Sequence, residues 1–150
     1  MCLDKAVKFI ATLCFTGYIP VAPGTFGSLT AFAVFMLLRP SISVRAVILL
    51  LIIPVGIISS HIAERVLDKK DSSHIVIDEF CGYFVSVLFI PISIGYALAA
   101  FFLFRIFDIL KPFPIKKIEN NFKGGLGIVA DDLMAGFYTN VVLLAWILIS

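Results

Sequence analysis

The sequence predicts an all-α protein: a compact bundle of short apolar helices, associated with a membrane, with a polar site at one end. Three observations predict it. Apolar residues make up 61% of the chain, fifteen residues are Phe, and the mean hydropathy of +1.08 exceeds that of an ordinary soluble domain. Long stretches carry no charge, notably residues 80–104 and 133–150. Gly and Pro cut the apolar sequence into pieces, which favours several short helices. At 150 residues the chain fits one domain, 1–150, with enough length for a core.

The elements follow in order. Residues 4–15, DKAVKFIATLCF, form a short helix ending near Gly17. GYIPVAPGTFGSL (17–29) is expected to be a loop, because its prolines and glycines break regular structure. SLTAFAVFMLL (28–38) is a short apolar helix with Ser28 or Thr25 as its N-cap. Pro40 and Ser41 turn the chain, and residues 44–68 form a longer helix with a kink expected at Pro54. KKDSSHIVI (69–77) is a polar connection. Residues 80–104 are long enough for one membrane span, but IPISIG (90–95) places turn chemistry at the centre, so a hairpin of two helices is expected.

The hairpin decides where the charges go. Under it Lys5, Lys8, Arg65, Lys69, Lys70, Arg105, Lys111, Lys116, Lys117 and Lys123 share one face, and only Arg39 and Arg45 lie opposite. That asymmetry makes the polar face cytoplasmic and suits it to anionic membrane lipids. The net charge of +2 gives no reason to expect a nucleic-acid partner. Cys2, Cys14 and Cys81 form no CxxC pair and read as reduced thiols. No signal-peptide cleavage site follows the N-terminal apolar stretch.

Two acidic pairs carry the chemistry. Asp78–Glu79 in DEFCG and Asp131–Asp132 in GGLGIVADDLMAG echo one another, each followed one turn later by small residues: Gly82 in one case, Ala135 and Gly136 in the other. Small residues on the carboxylate's own face let another helix or a ligand come close. Adjacent side chains on a helix point about 100° apart, so one member of each pair can cap and the other can face a site. Both could equally be caps, since Asp at a helix start is common. With Asp108, these five acids all flank apolar helices, and like charges repel unless a cation holds them. Carboxylate oxygens without His or thiol partners select Mg²⁺. Glu79 and Asp132 are the first ligand candidates, with Asp131 and Asp108 beside them; Asp78 and Asp131 are the better placed to cap. His61 and His74 lack ligand spacing and read as surface residues.

For a phosphate group, Arg105 and Lys111 bracket Asp108. Arg105 could instead be a simple i, i+3 ion pair, and Lys111 a cation stabilising a helix C-terminus. Gly24, Thr25, Gly27 and Ser28 in PGTFGS free backbone N–H groups at a helix start for phosphate, although no GK[ST] follows. No Asp-x-Asp and no Ser-Gly-His occurs, and neither Cys14 nor Cys81 has an Arg six residues on, so a phosphatase here would be metal-dependent.

The blocks GYIPVAPGTFGSL, DEFCGYF, FRIFDILKPFPI and GGLGIVADDLMAG, in this order from Gly17 to Gly136, resemble the signature blocks of the bacterial phosphatidylglycerophosphatase A family. The resemblance implies a small α-helical, Mg²⁺-dependent lipid phosphatase of the bacterial inner membrane. It would remove the terminal phosphate of phosphatidylglycerophosphate on the cytoplasmic leaflet. Asp78, Glu79, Asp108, Asp131 and Asp132 would then be the catalytic set. A non-enzymatic membrane subunit with an acidic cation path is the competing reading, but its acids should sit in mid-helix. An alcohol phosphatidyltransferase should show D-x-x-x-D, which the chain lacks.

Overall fold

A computed structural model describes residues 2–66, 72–122 and 124–150. Every regular element among them is helical: α1 Cys2–Ala11, a 3₁₀ turn Thr16–Tyr18, α2 Pro23–Leu38, α3 Ile42–Val66, α4 Ile77–Ser86, α5 Ile94–Leu110, α6 Ile115–Asn121 and α7 Gly125–Ile149. Lys69, Lys70, Lys123 and the first three residues of the polar connection, 69–71, lie outside the described residues.

The hairpin is present. Residues 87–93 turn the chain between α4 and α5, so Asp78 and Glu79 return to the same end as Arg105 and Asp108. At 1.5 Å per residue α4 is about 15 Å long, too short to cross a bilayer. It is instead the central element: Ile77, Asp78, Phe80–Phe84 and Ser86 are buried against α2, α3, α5 and α7. Phe35, Tyr83, Phe84 and Phe104 fill the core and are fully buried. Phe35 meets Phe84 edge-on with centroids 6.5 Å apart, and Phe80 stacks on Phe84 at 4.9 Å.

Outside this core the surface is apolar. α3 and α7, 25 residues each, are long and apolar enough to cross a membrane. A core helix of a soluble protein would be mostly buried, yet only 22% and 33% of their most apolar windows are covered. Leu50, Leu51, Trp146 and Leu148 all face outward, Leu148 at 85% exposure. These helices fit a membrane-associated protein. Pro54 lies inside the unbroken run of α3.

Two boundaries differ from the sequence expectation for one reason. α2 begins at Pro23, inside the stretch expected as loop, with Pro at the helix start where its missing N–H costs nothing. Its N-cap is Ala22, not Thr25 or Ser28, and Ser28 lies buried with its hydroxyl donating to the Gly24 carbonyl at 2.9 Å. α7 likewise begins at Gly125 behind Gly124, whose φ of 68° suits glycine. The glycines read as breakers are contact points: a Cβ at Gly27 would stand 2.9 Å from Val76 Cβ, and one at Gly127 2.5 Å from the Phe122 carbonyl oxygen. α6 is an element the sequence reading did not include.

Candidate active site

The site is made by a helix crossing. At Gly82 of α4 an added Cβ would sit 2.7 Å from the Asp132 carbonyl oxygen, and at Gly136 of α7 it would collide with the Gly82 carbonyl oxygen. The two backbones therefore touch where the small residues of the sequence echo lie. Glu79 and Asp132 stand about one turn before these glycines on the two helices. The small residues admit a helix, and the helix brings its own acid with it.

The result is a group of three carboxylates. Asp78, Glu79 and Asp132 each offer an oxygen within 4.8 Å of the others, the one such group of His, Cys, Asp and Glu side chains among the described residues. Asp78 Oδ1 and Glu79 Oε2 are buried without a hydrogen-bond partner. Burial, and next the Glu79 and Asp132 charges, push the Asp78 carboxyl well above the usual carboxylate range. Burial also raises Glu79, opposed by its hydrogen bond with Asp78 and by the Arg105 charge. Three hard oxygen donors, two with orphaned lone pairs, fit a divalent cation such as Mg²⁺.

Cations and a helix start rim the three acids. Arg105 Nη1 lies 2.6 Å from Asp108 Oδ2 and 4.0 Å from Glu79 Oε1. The i, i+3 ion pair is thus real, and it holds the guanidinium beside the site. Lys111, in the left-handed conformation that ends α5, reaches Asp131 Oδ2 at 2.7 Å. At Gly24 an added Cβ would run into the Glu79 carboxylate and stand 3.2 Å from Arg105 Nη2. The first turn of α2 therefore abuts both groups, with Thr25 partly exposed beside it.

The division of labour within the pairs differs from the sequence expectation. Neither Asp78 nor Asp131 caps a helix. The N-cap of α4 is Val76, and the N-cap of α7 is Gly124, which leaves Asp131 and Asp132 about two turns inside α7. Asp131 and Asp132 do diverge, one to Lys111 and the other to the acids. Asp78 and Glu79 instead converge. Asp78, expected as a cap, joins the three; of the further ligand candidates, Asp131 is bound by Lys111, and Asp108 is paired with Arg105 and also stands against Asp132. Of PGTFGS, Gly24 abuts the Glu79 carboxylate, Gly27 packs on Val76 and the Glu79 stem, and Ser28 turns its hydroxyl into its own helix. His61 is exposed beside Arg65, while His74, expected at the surface, is half-buried and stacks on Tyr18 at 4.7 Å; neither belongs to the carboxylate group.

Arg45 went unread. It lies at the end opposite the acids, where the charge census places it, yet it is 2% exposed and bound to backbone carbonyls. A lone basic residue in an apolar run near a helix start was the available signal.

Comparison with known proteins identifies the family. The family model described as Phosphatidylglycerophosphatase A matches residues 9–147. A Haemophilus influenzae protein named phosphatidylglycerophosphatase A is 38% identical over 133 residues, covering 87% of this chain and 82% of its own. The Escherichia coli protein of that name is 36% identical over 124 residues, covering 81% and 72%. A Bacteroides thetaiotaomicron protein, named provisionally as a phosphatidylinositol-3-phosphatase, is 37% identical over 137 residues, 85% of each chain. No solved structure matches. With all four signature blocks inside the matched region and converging on one group of carboxylates, the chain belongs to the phosphatidylglycerophosphatase A family.

Proposed function

We propose that this protein hydrolyses the terminal phosphate monoester of phosphatidylglycerophosphate, giving phosphatidylglycerol and phosphate, with Mg²⁺ as cofactor, at the cytoplasmic face of a bacterial inner membrane. The observation that carries the reading is the group Asp78, Glu79 and Asp132, with two buried carboxylate oxygens lacking partners, at the polar end of an apolar bundle. The family match and the two relatives of that name support the headgroup.

Asp78, Glu79 and Asp132 would hold the cation. Bound there, Mg²⁺ supplies Lewis acidity and neutralises phosphate charge. Arg105 binds non-bridging phosphate oxygens at the rim, and Asp108, 2.6 Å away, keeps its guanidinium turned toward the site. Lys111, anchored by Asp131, adds a second positive charge from the same helix. The N–H groups opening α2 beside Gly24 favour an anion at the remaining edge. The apolar outer faces of α3 and α7 keep the substrate's acyl chains in the bilayer while the headgroup enters. Lys5, Lys116 and Lys117, exposed at the polar end, face anionic lipid.

The test is phosphate release from phosphatidylglycerophosphate by the purified protein in mixed micelles. Release should stop with EDTA and return with Mg²⁺; full turnover in metal-free buffer refutes the metal assignment. Phosphatidylinositol 3-phosphate is the second substrate to offer, because one relative carries that name. Preference for it would reassign the headgroup and leave the site intact.

A further inference from the structure

We infer that Arg45 is a positioning residue that fixes the approach of Asp78 and Glu79 to Asp132 from the far end of α4. Its side chain is buried in apolar surroundings with its guanidinium 4.9 Å from the centre of the Phe35 ring. Each of its hydrogen bonds ends on a backbone carbonyl. Nη1 donates to Val87 at 2.7 Å, Leu88 at 3.1 Å and Ile90 at 2.7 Å, and Nε donates to Pro40 at 2.8 Å. A buried ionisable residue in a membrane protein usually marks an ion pair or a proton path. Arg45 instead ties two turns together: 87–93, between α4 and α5, and Pro40, between α2 and α3. Carbonyls left open past a helix end are costly where water is scarce, and one guanidinium satisfies them.

The link to the acids is mechanical. α4 is a short rod that crosses α7 backbone to backbone at Gly82 and Gly136. At 1.5 Å per residue, Glu79 lies about 4.5 Å to one side of that crossing and Val87 about 7.5 Å to the other. A swing of about 1 Å at the Val87 end therefore moves the acids by roughly 0.6 Å. Asn140 Nδ2, donating to the Ser86 carbonyl at 3.0 Å, tethers the same arm to α7, and Arg45 tethers it to the turn after α2. α2 carries Gly24 against Glu79, so the clamp also fixes the opposite wall.

The inference rests on Asp78, Glu79 and Asp132 as the Mg²⁺ site, and the experiment separates the two. Thermal unfolding of the purified protein in detergent is followed across a Mg²⁺ titration, beside phosphate release. Wild type should be stabilised by Mg²⁺; no stabilisation would remove the metal site and this inference with it. Arg45→Met, which keeps the bulk and loses every donor, should need roughly 10–100-fold more Mg²⁺ for the same stabilisation. Its KM for lipid at saturating Mg²⁺ should not change. Arg45→Lys, whose ammonium has three donors for Val87, Leu88 and Ile90 but none left for Pro40, should shift less. A folded Arg45→Met with the wild-type Mg²⁺ response, or merely a lower melting point at every Mg²⁺ concentration, overturns the inference. If Arg45→Met does not fold, Arg45→Lys decides: a shifted Mg²⁺ response supports the inference and an unshifted one overturns it.

Discussion

Gly82→Ala is the most economical test of how the crossing makes the site. The added methyl would stand 2.7 Å from the Asp132 carbonyl oxygen and 2.5 Å from Phe104 Cε2, where ordinary contact begins at 3.4 Å. Neither neighbour can yield cheaply: the oxygen is backbone in α7, and Phe104 is fully buried. The helices must then separate by about 0.7 Å or the core must take up the strain, and overpacking of this kind costs about 1–3 kcal/mol. Separation acts directly on the three carboxylates, because Asp132 belongs to the helix that is pushed away. At about 1.4 kcal/mol per factor of ten, the Mg²⁺ needed for half-maximal phosphate release should rise roughly tenfold or more. Gly95→Ala is the matched control: its methyl meets only Ser93 Oγ, at 3.8 Å, and replaces glycine in the first turn of α5. It should leave the Mg²⁺ response unchanged and slightly raise stability. A folded Gly82→Ala with a wild-type Mg²⁺ response would mean that α4 and α7 do not set the ligand spacing.

Two further predictions concern the acids. Asp78→Asn, Glu79→Gln and Asp132→Asn should each abolish Mg²⁺-dependent phosphate release while the protein stays folded; Asp131→Asn should only lower it, because that side chain anchors Lys111. An Asp78→Asn with near-normal turnover would return Asp78 to a structural role. The second concerns metal-free stability. Asp78 and Glu79 have folded-state pKa values above the ordinary range near 4, so between the two values the folded state holds protons that the unfolded state has lost. Metal-free protein should therefore lose stability as pH rises above the ordinary carboxylate range, and the stabilisation by Mg²⁺ should grow over the same range. Melting curves in EDTA that are flat with pH, or as steep in Asp78→Asn/Glu79→Gln, would show that these groups are not the source.

Much of the arrangement was legible because it is written in local pattern. Pro91 and Gly95 gave the hairpin, and the hairpin placed Arg105 beside Glu79. The repeated spacing of acid and small residue gave a close approach, although not what would approach. What stayed illegible depends on tertiary contact. Gly24, Gly27, Gly125 and Gly127 look like loop residues because glycine is a poor helix former, but here they lie in helices against Glu79, Val76, Ile57 and Phe122. That same misreading shortened α7 and made Asp131 look like a cap. Arg45 has no acidic partner nearby to reveal it: its acceptors are turn carbonyls, three of them more than forty residues away.

The two acidic pairs show why adjacency alone does not fix a role. Asp131 and Asp132 lie in the regular part of α7, where short side chains 100° apart cannot share a partner, and one goes to Lys111 while the other joins the site. Asp78 and Glu79 lie in the first turn of α4, where only Ile77 precedes them on the helix, and Glu79 has an extra methylene. Its carboxylate can swing back toward that of Asp78, so that the two offer oxygens within 4.8 Å of one another. Three acids from two helices thus meet at one point. The fourth is left to hold the lysine that ends α5, the helix that also carries Arg105.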